Sequence, residues 1–127
     1  MPKFGKRSRE RLEGVDPQII KVLDELIKIM DVSIIEGKRT QERQDTLFKT
    51  GKSKREVSKH TSGRAVDLAP YPLDWENNER FYYMSGMIRG IAHMMDIPIR
   101  VGGDWDSDGE IKDQQFNDLN HMELKGD

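Results

Sequence analysis

A chain of 127 residues suffices for one domain around a modest core. Hydrophobic and charged residues each make up 35% and the formal net charge is -2, which argues against a membrane-embedded protein and against global attraction to nucleic acid. Cysteine is absent, so disulfides and thiolate metal sites are excluded. No apolar run is long enough for a signal peptide or a transmembrane helix; the expectation is a protein made in a cytoplasm, without stable membrane association.

In chain order, Lys3, Lys6, Arg7, Arg9 and Arg11 form a short basic cluster interrupted by Glu10, which reads as a solvated leader rather than a lipid- or nucleic-acid-binding arm. Asp16-Pro17 is a helix start, a capping side chain followed by proline at the first helical position. Ile19, Leu23, Leu26 and Met30 then recur at helical spacing, with Ile20 and Ile27 widening the stripe. Val32 to Glu36 reads as a strand ended by Gly37, residues 41–50 as a helix, and Gly51 to Ser58 as a basic loop. Asp74 is the expected cap of the longest helix, about Trp75 to Met95, buried through Phe81, Met84, Ile88, Ile91 and Met95. His93 lies off that stripe and reads as structural or solvent-facing. Pro98 to Val101 is a further strand, followed by a loop from Gly102 to Gln115. This order of elements predicts an α+β fold with a small antiparallel sheet packed with helices.

The stretch Ser58 to Pro70 carries the chemistry. Val66 and Leu68 alternate with Ala65, Asp67 and Ala69, the period of a half-buried strand with Asp67 between two small residues. His60 precedes that strand and can fold back over its polar face. Imidazole and carboxylate are common zinc ligands, although by spacing alone a surface histidine beside a strand-end aspartate is the commoner reading. Near the C-terminus, His121 and Glu123 are two apart, hence on one face of a strand, with Met122 and Leu124 on the other.

The pattern Ser58-x-His60-x-x-Gly63-x-Ala65-x-Asp67, followed by Asp118-x-x-His121-x-Glu123-Leu124, resembles the zinc peptidases of the D-alanyl-D-alanine carboxypeptidase group. Within that group it is most similar to the L-alanyl-D-glutamate endopeptidases that tailed phages use as endolysins. Phe4 to Ser8, Leu12, Val15-Asp16-Pro17, Gly37-Lys38-Arg39-Thr40 with Gln44, and Gly103-Asp104-Trp105 extend the likeness over nearly the whole chain.

The resemblance implies a D-Ala-D-Ala carboxypeptidase/hedgehog-like fold whose sheet carries zinc on His60, Asp67 and His121. Such a site keeps a position for water, whose pKa falls towards about 7. Arg39 would meet the substrate and steady charge on the attacked carbonyl, with Gln44 and Ser58 in supporting or substrate-contact roles. Geometry alone leaves two candidates for proton transfer, Glu123 and Asp118. The resemblance selects Asp118 and leaves Glu123 to orient a ligand.

The activity implied is hydrolysis of the L-alanyl-D-glutamate bond of the peptidoglycan stem peptide during host lysis. The enzyme would be a monomer held in the host cytoplasm until release to the periplasmic wall. One catalytic domain over residues 1–127, without a wall-binding module, suits attack on a thin wall from inside. A carboxypeptidase trimming terminal D-alanine is the alternative, but the residue that would hold the free carboxylate is not evident. A non-catalytic zinc-stabilised binding module would need neither Asp118 nor Arg39.

A calcium site is expected on independent grounds. Asp104, Asp106 and Asp108 stand at positions 1, 3 and 5 of an EF-hand-type loop, with Gly109 at 6, Glu110 at 7 and Ile111 at 8. Gln115 replaces the bidentate glutamate at position 12, which predicts weakened affinity; a solvated acidic turn is the alternative reading.

Overall fold

The computed structural model describes residues 2–51, 59–102 and 119–126, without the side chains of Gln44, His60 and Thr61. Two helices open the chain, α1 (Lys6–Arg11) and α2 (Pro17–Ile29). Strand β1 (Val32–Glu36), helix α3 (Gln41–Lys49), a 3-10 turn (Lys59–Ser62) and strand β2 (Ala65–Pro70) follow. Helix α4 (Asn78–Met95) and strands β3 (Ile99–Val101) and β4 (His121–Leu124) complete the described elements. The strands form one antiparallel sheet in the order β1-β2-β4-β3. The α+β architecture expected from the order of elements is therefore present.

Helix α2 begins as its sequence predicts: the Asp16 side chain accepts from the Gln18 N–H at 2.9 Å, and Pro17 needs no donor there. Its stripe of Ile19, Val22, Leu23 and Leu26 is fully buried. Against it pack the apolar sheet face (Val66, Leu68, Met122, Leu124, Ile99, Val101) and Phe81, Met84 and Ile88 of α4. Each such side chain contributes roughly 1.5–3 kcal/mol on burial. The period-2 alternation of β2 and β4 then fixes what the opposite face must show: Asp67, His121 and Glu123.

Two expectations are corrected. Helix α4 starts at Asn78, capped by the Asn77 side chain on Arg80 N–H at 3.3 Å, not by Asp74. Asp74 instead closes a preceding turn, accepting from Glu76 N–H at 3.1 Å. The basic N-terminal segment is no mere solvated leader either. It forms α1, whose Ser8 hydroxyl accepts from Ile34 N–H at 3.0 Å, while Arg11 Nη1 donates to Ile34 O at 2.8 Å. Ile34 belongs to the sheet's edge strand, so α1 satisfies backbone groups that would otherwise invite a foreign strand. The approach is tight: a Cβ on Gly37 would lie 1.8 Å from Arg11 O.

A bulge between Ile34 and Glu36 shifts the β1 register, so that Ile34 faces Leu68 but Glu36, not Ile35, faces Asp67. This irregularity adds a carboxylate to the polar face. Among the described residues, no helix is long and apolar enough to cross a membrane.

Candidate active site

Asp67 lies within β2 and His121 opens β4, directly opposite each other in the antiparallel register. Their side chains meet, His121 Nδ1 standing 3.0 Å from Asp67 Oδ1. Both are largely shielded, with side chains 10% and 17% exposed, so solvent screens their interaction only weakly.

The other ring nitrogen has its own partner. His121 Nε2 is 2.9 Å from Glu123 Oε1, on the same strand face two residues along. Glu123 is buried, yet two cations reach its second oxygen: Lys59 Nζ at 2.8 Å and Arg100 Nη2 at 2.8 Å. Burial pushes its carboxyl pKa up, but hydrogen bonds from His121, Lys59 and Arg100 outweigh that and hold it well below the usual carboxylate range. Glu123 is therefore an anion at neutral pH, able only to accept. It accepts a hydrogen bond from Nε2–H while Nδ1 faces Asp67, a contact of the kind by which a carboxylate orients a metal-binding imidazole.

Arg39 follows β1, and its guanidinium is gripped by Glu36 through Nε and Nη2. The same Nη2 lies 4.0 Å from Asp67 Oδ2. Arg43, one turn into α3, binds the other Glu36 oxygen at 2.8 Å but is 57% exposed. Arg39, at 10% exposure, is the guanidinium held against the site.

Asp67, His121, Glu123 and Arg39 are thus brought together as the sequence suggests. His60 lies on the 3-10 turn that leads into β2, but its side chain is outside the description, as is that of Gln44 on α3. Ser58, Asp118 and the expected calcium residues Asp104, Asp106, Asp108 and Glu110 lie outside the described residues. His93 is solvent-exposed on α4, as expected. Glu36, Lys59 and Arg100 escaped the sequence reading. The Glu36 position depends on a bulge and Arg100 on the β3–β4 register, neither of which a local pattern reports. Lys59 could have been suspected from its place beside His60.

Among the described residues no three metal-ligating side chains converge. The donor chemistry of the pair nonetheless fits zinc. An imidazole nitrogen and a carboxylate oxygen, both common zinc ligands, stand here within 3.0 Å of each other. Asp67 and His121 would supply two ligands, and the turn before β2 is where a third from His60 would originate.

The chain is 33% identical over 136 aligned positions to the L-alanyl-D-glutamate peptidase of Escherichia phage T5, spanning 96% of this chain and 97% of that protein. Its fold is similar to the crystal structure of the Serratia marcescens L-Ala D-Glu endopeptidase ChiX, with a TM-score of 0.79 and 26% identity. That match covers 96% of this chain and 90% of the other. The family model for the phage L-alanyl-D-glutamate peptidase matches residues 1–125, and the chain therefore belongs to that family.

Proposed function

We propose that this chain is a zinc-dependent peptidoglycan peptidase that hydrolyses the L-alanyl-D-glutamate bond of the stem peptide, an endolysin acting in host lysis. The carrying observation is the Asp67–His121 pair, backed by Glu123 and flanked by Arg39, in a chain of this family.

His60, Asp67 and His121 would hold the ion. Bound zinc supplies Lewis acidity, making a water a competent nucleophile near neutral pH and polarising the scissile carbonyl. Asp118 takes the proton from that water and delivers it to the leaving amine of D-glutamate, so that the products are an alanine carboxylate and a free amine. Arg39, fixed by Glu36, steadies negative charge as it develops on the carbonyl oxygen. Glu123 is not the base: its carboxylate is occupied by His121, Lys59 and Arg100. A calcium ion on Asp104, Asp106, Asp108 and Glu110 is part of the proposal on sequence grounds. So are a monomeric state and residence in the host cytoplasm before the wall is reached.

Digestion of purified peptidoglycan, with masses of the released peptides, tests the reading. New alanine C-termini paired with glutamate N-termini are expected. Loss of single terminal alanines without interior cleavage would make the chain a carboxypeptidase, and intact wall peptide with zinc-loaded protein would overturn the enzyme reading.

A further inference from the structure

Lys59 immediately precedes His60 on the 3-10 turn, yet its side chain belongs to β4. Its ammonium lies 2.8 Å from Glu123 Oε2 and donates to Leu124 O at 2.6 Å. The turn is fastened to the same region through the backbone: Arg64 N–H donates to Lys59 O at 2.9 Å, and Leu124 N–H to Arg64 O at 2.9 Å. From the other side, Arg100 of β3 stands opposite Glu123 in the sheet register and bonds the same carboxylate oxygen at 2.8 Å. Glu123 thus keeps one oxygen for the two cations and the other for His121 Nε2.

The division matters because a side chain only 4% exposed cannot draw on water if a partner is lost. Without the two cations, the carboxylate would lose the contacts that fix its position, and with them its hold on the imidazole at Nε2. Lys59 carries a second load, since it also ties the segment bearing His60 to the strand bearing His121.

We propose that Lys59 and Arg100 are positioning residues: they hold the Glu123 carboxylate that presents His121 Nδ1 towards Asp67, and Lys59 braces the His60 turn against β4. The inference rests on the zinc-peptidase reading for the identity of the ion, and on the contacts above for the brace itself.

The test compares the parent protein with Lys59→Met, Arg100→Met, the double variant and Lys59→Arg. Zinc dissociation constants come from competition with a chelator. Proton NMR of the zinc-loaded protein follows the His121 Nε2–H, which Glu123 should protect from exchange with water. The parent should show that protected proton. Each methionine variant should bind zinc about 10–100-fold more weakly, the usual consequence of losing an outer partner of a ligand, with faster Nε2–H exchange. Lys59→Arg, which keeps the charge, should recover most of both. A merely structural lysine would alter thermal stability but leave the exchange of that proton unchanged. Parental affinity and exchange in the single variants would overturn the proposal, as would a parent with zinc on Nε2. If the double variant fails to fold, the single variants decide. A parent that binds no zinc at all would instead overturn the zinc reading.

Discussion

Gly63 meets Gly14 backbone to backbone: a Cβ on Gly63 would lie 2.3 Å from Gly14 O, and Gly63 O accepts from Asp16 N–H at 2.8 Å. Gly63 also has φ +76°, in the region that L side chains resist. It stands between His60 and Asp67, so this contact ties the turn before β2 to the start of α2. Gly63→Ala should therefore cost about 2–4 kcal/mol, more than the ~1 kcal/mol typical of a point substitution. Gly51 has the same φ of +76° with nothing near its Cβ position. Gly51→Ala should cost only the left-handed penalty of about 1–2 kcal/mol. Urea midpoints for the two variants check the contrast; equal losses would mean that the Gly14 contact contributes nothing.

Much of this arrangement was legible before any fold was known. The Asp16-Pro17 start and apolar stripe of α2, and the inward–outward alternation of β2 and β4, are local signals that tertiary packing reinforces. The same alternation put Asp67, His121 and Glu123 on one face. Elsewhere local chemistry offered equivalent choices: Asp74 and Asn77 are both good caps, and only the turn between them decided for Asn77. The roles of Glu36, Arg100 and the Ser8–Arg11 clasp depend on cross-strand register, a bulge and an edge strand, which are non-local properties.

Metal loss and turnover loss should separate by residue. His60→Ala, Asp67→Ala and His121→Ala should each abolish both bound zinc and activity. Asp118→Ala should keep zinc and fold while kcat falls by roughly two to four orders of magnitude, the usual size of general acid–base catalysis. Glu123→Ala should weaken zinc binding, because Nε2 of His121 loses its acceptor. Elemental analysis beside wall-digestion kinetics checks each one. Full zinc in His121→Ala would remove it from the ligand set, and exchanged phenotypes for Asp118 and Glu123 would reverse their roles.

The two arginines on Glu36 should differ sharply. Arg39 is nearly enclosed and its Nη2 lies 4.0 Å from Asp67, whereas Arg43 is mostly exposed. Arg39→Ala should lower kcat by about 10²–10³-fold, the scale for removing one donor to a developing oxyanion. Glu36→Gln should give a smaller fall, because the guanidinium remains but is less firmly held. Arg43→Ala should leave kcat within about twofold, as exposed ion pairs are worth roughly 0–1 kcal/mol. Steady-state kinetics on soluble muropeptides distinguish them; equal losses for Arg39→Ala and Arg43→Ala would leave no special place for Arg39.

Calcium should control the activity of zinc-loaded protein. Asp104, Asp106 and Asp108 alternate within five residues, and carboxylates so close repel one another unless a cation relieves them. Gly109 sits where an EF-hand-type loop turns sharply, Glu110 where it contributes a backbone carbonyl, and Ile111 where it carries an apolar anchor. Gln115 in place of the final glutamate removes a bidentate ligand, so binding should be weaker than in a complete loop. The segment ends shortly before Asp118 and His121 in sequence, so calcium bound there would bear on where Asp118, the proposed proton carrier, stands relative to His121. A cytoplasm poor in free calcium would then restrain the enzyme until it reached the wall. Lytic activity of calcium-stripped, zinc-loaded protein should rise on titration with calcium, and an Asp104→Ala/Asp106→Ala double variant should not respond. Equal activity of the stripped protein with and without calcium would reduce the loop to an acidic turn.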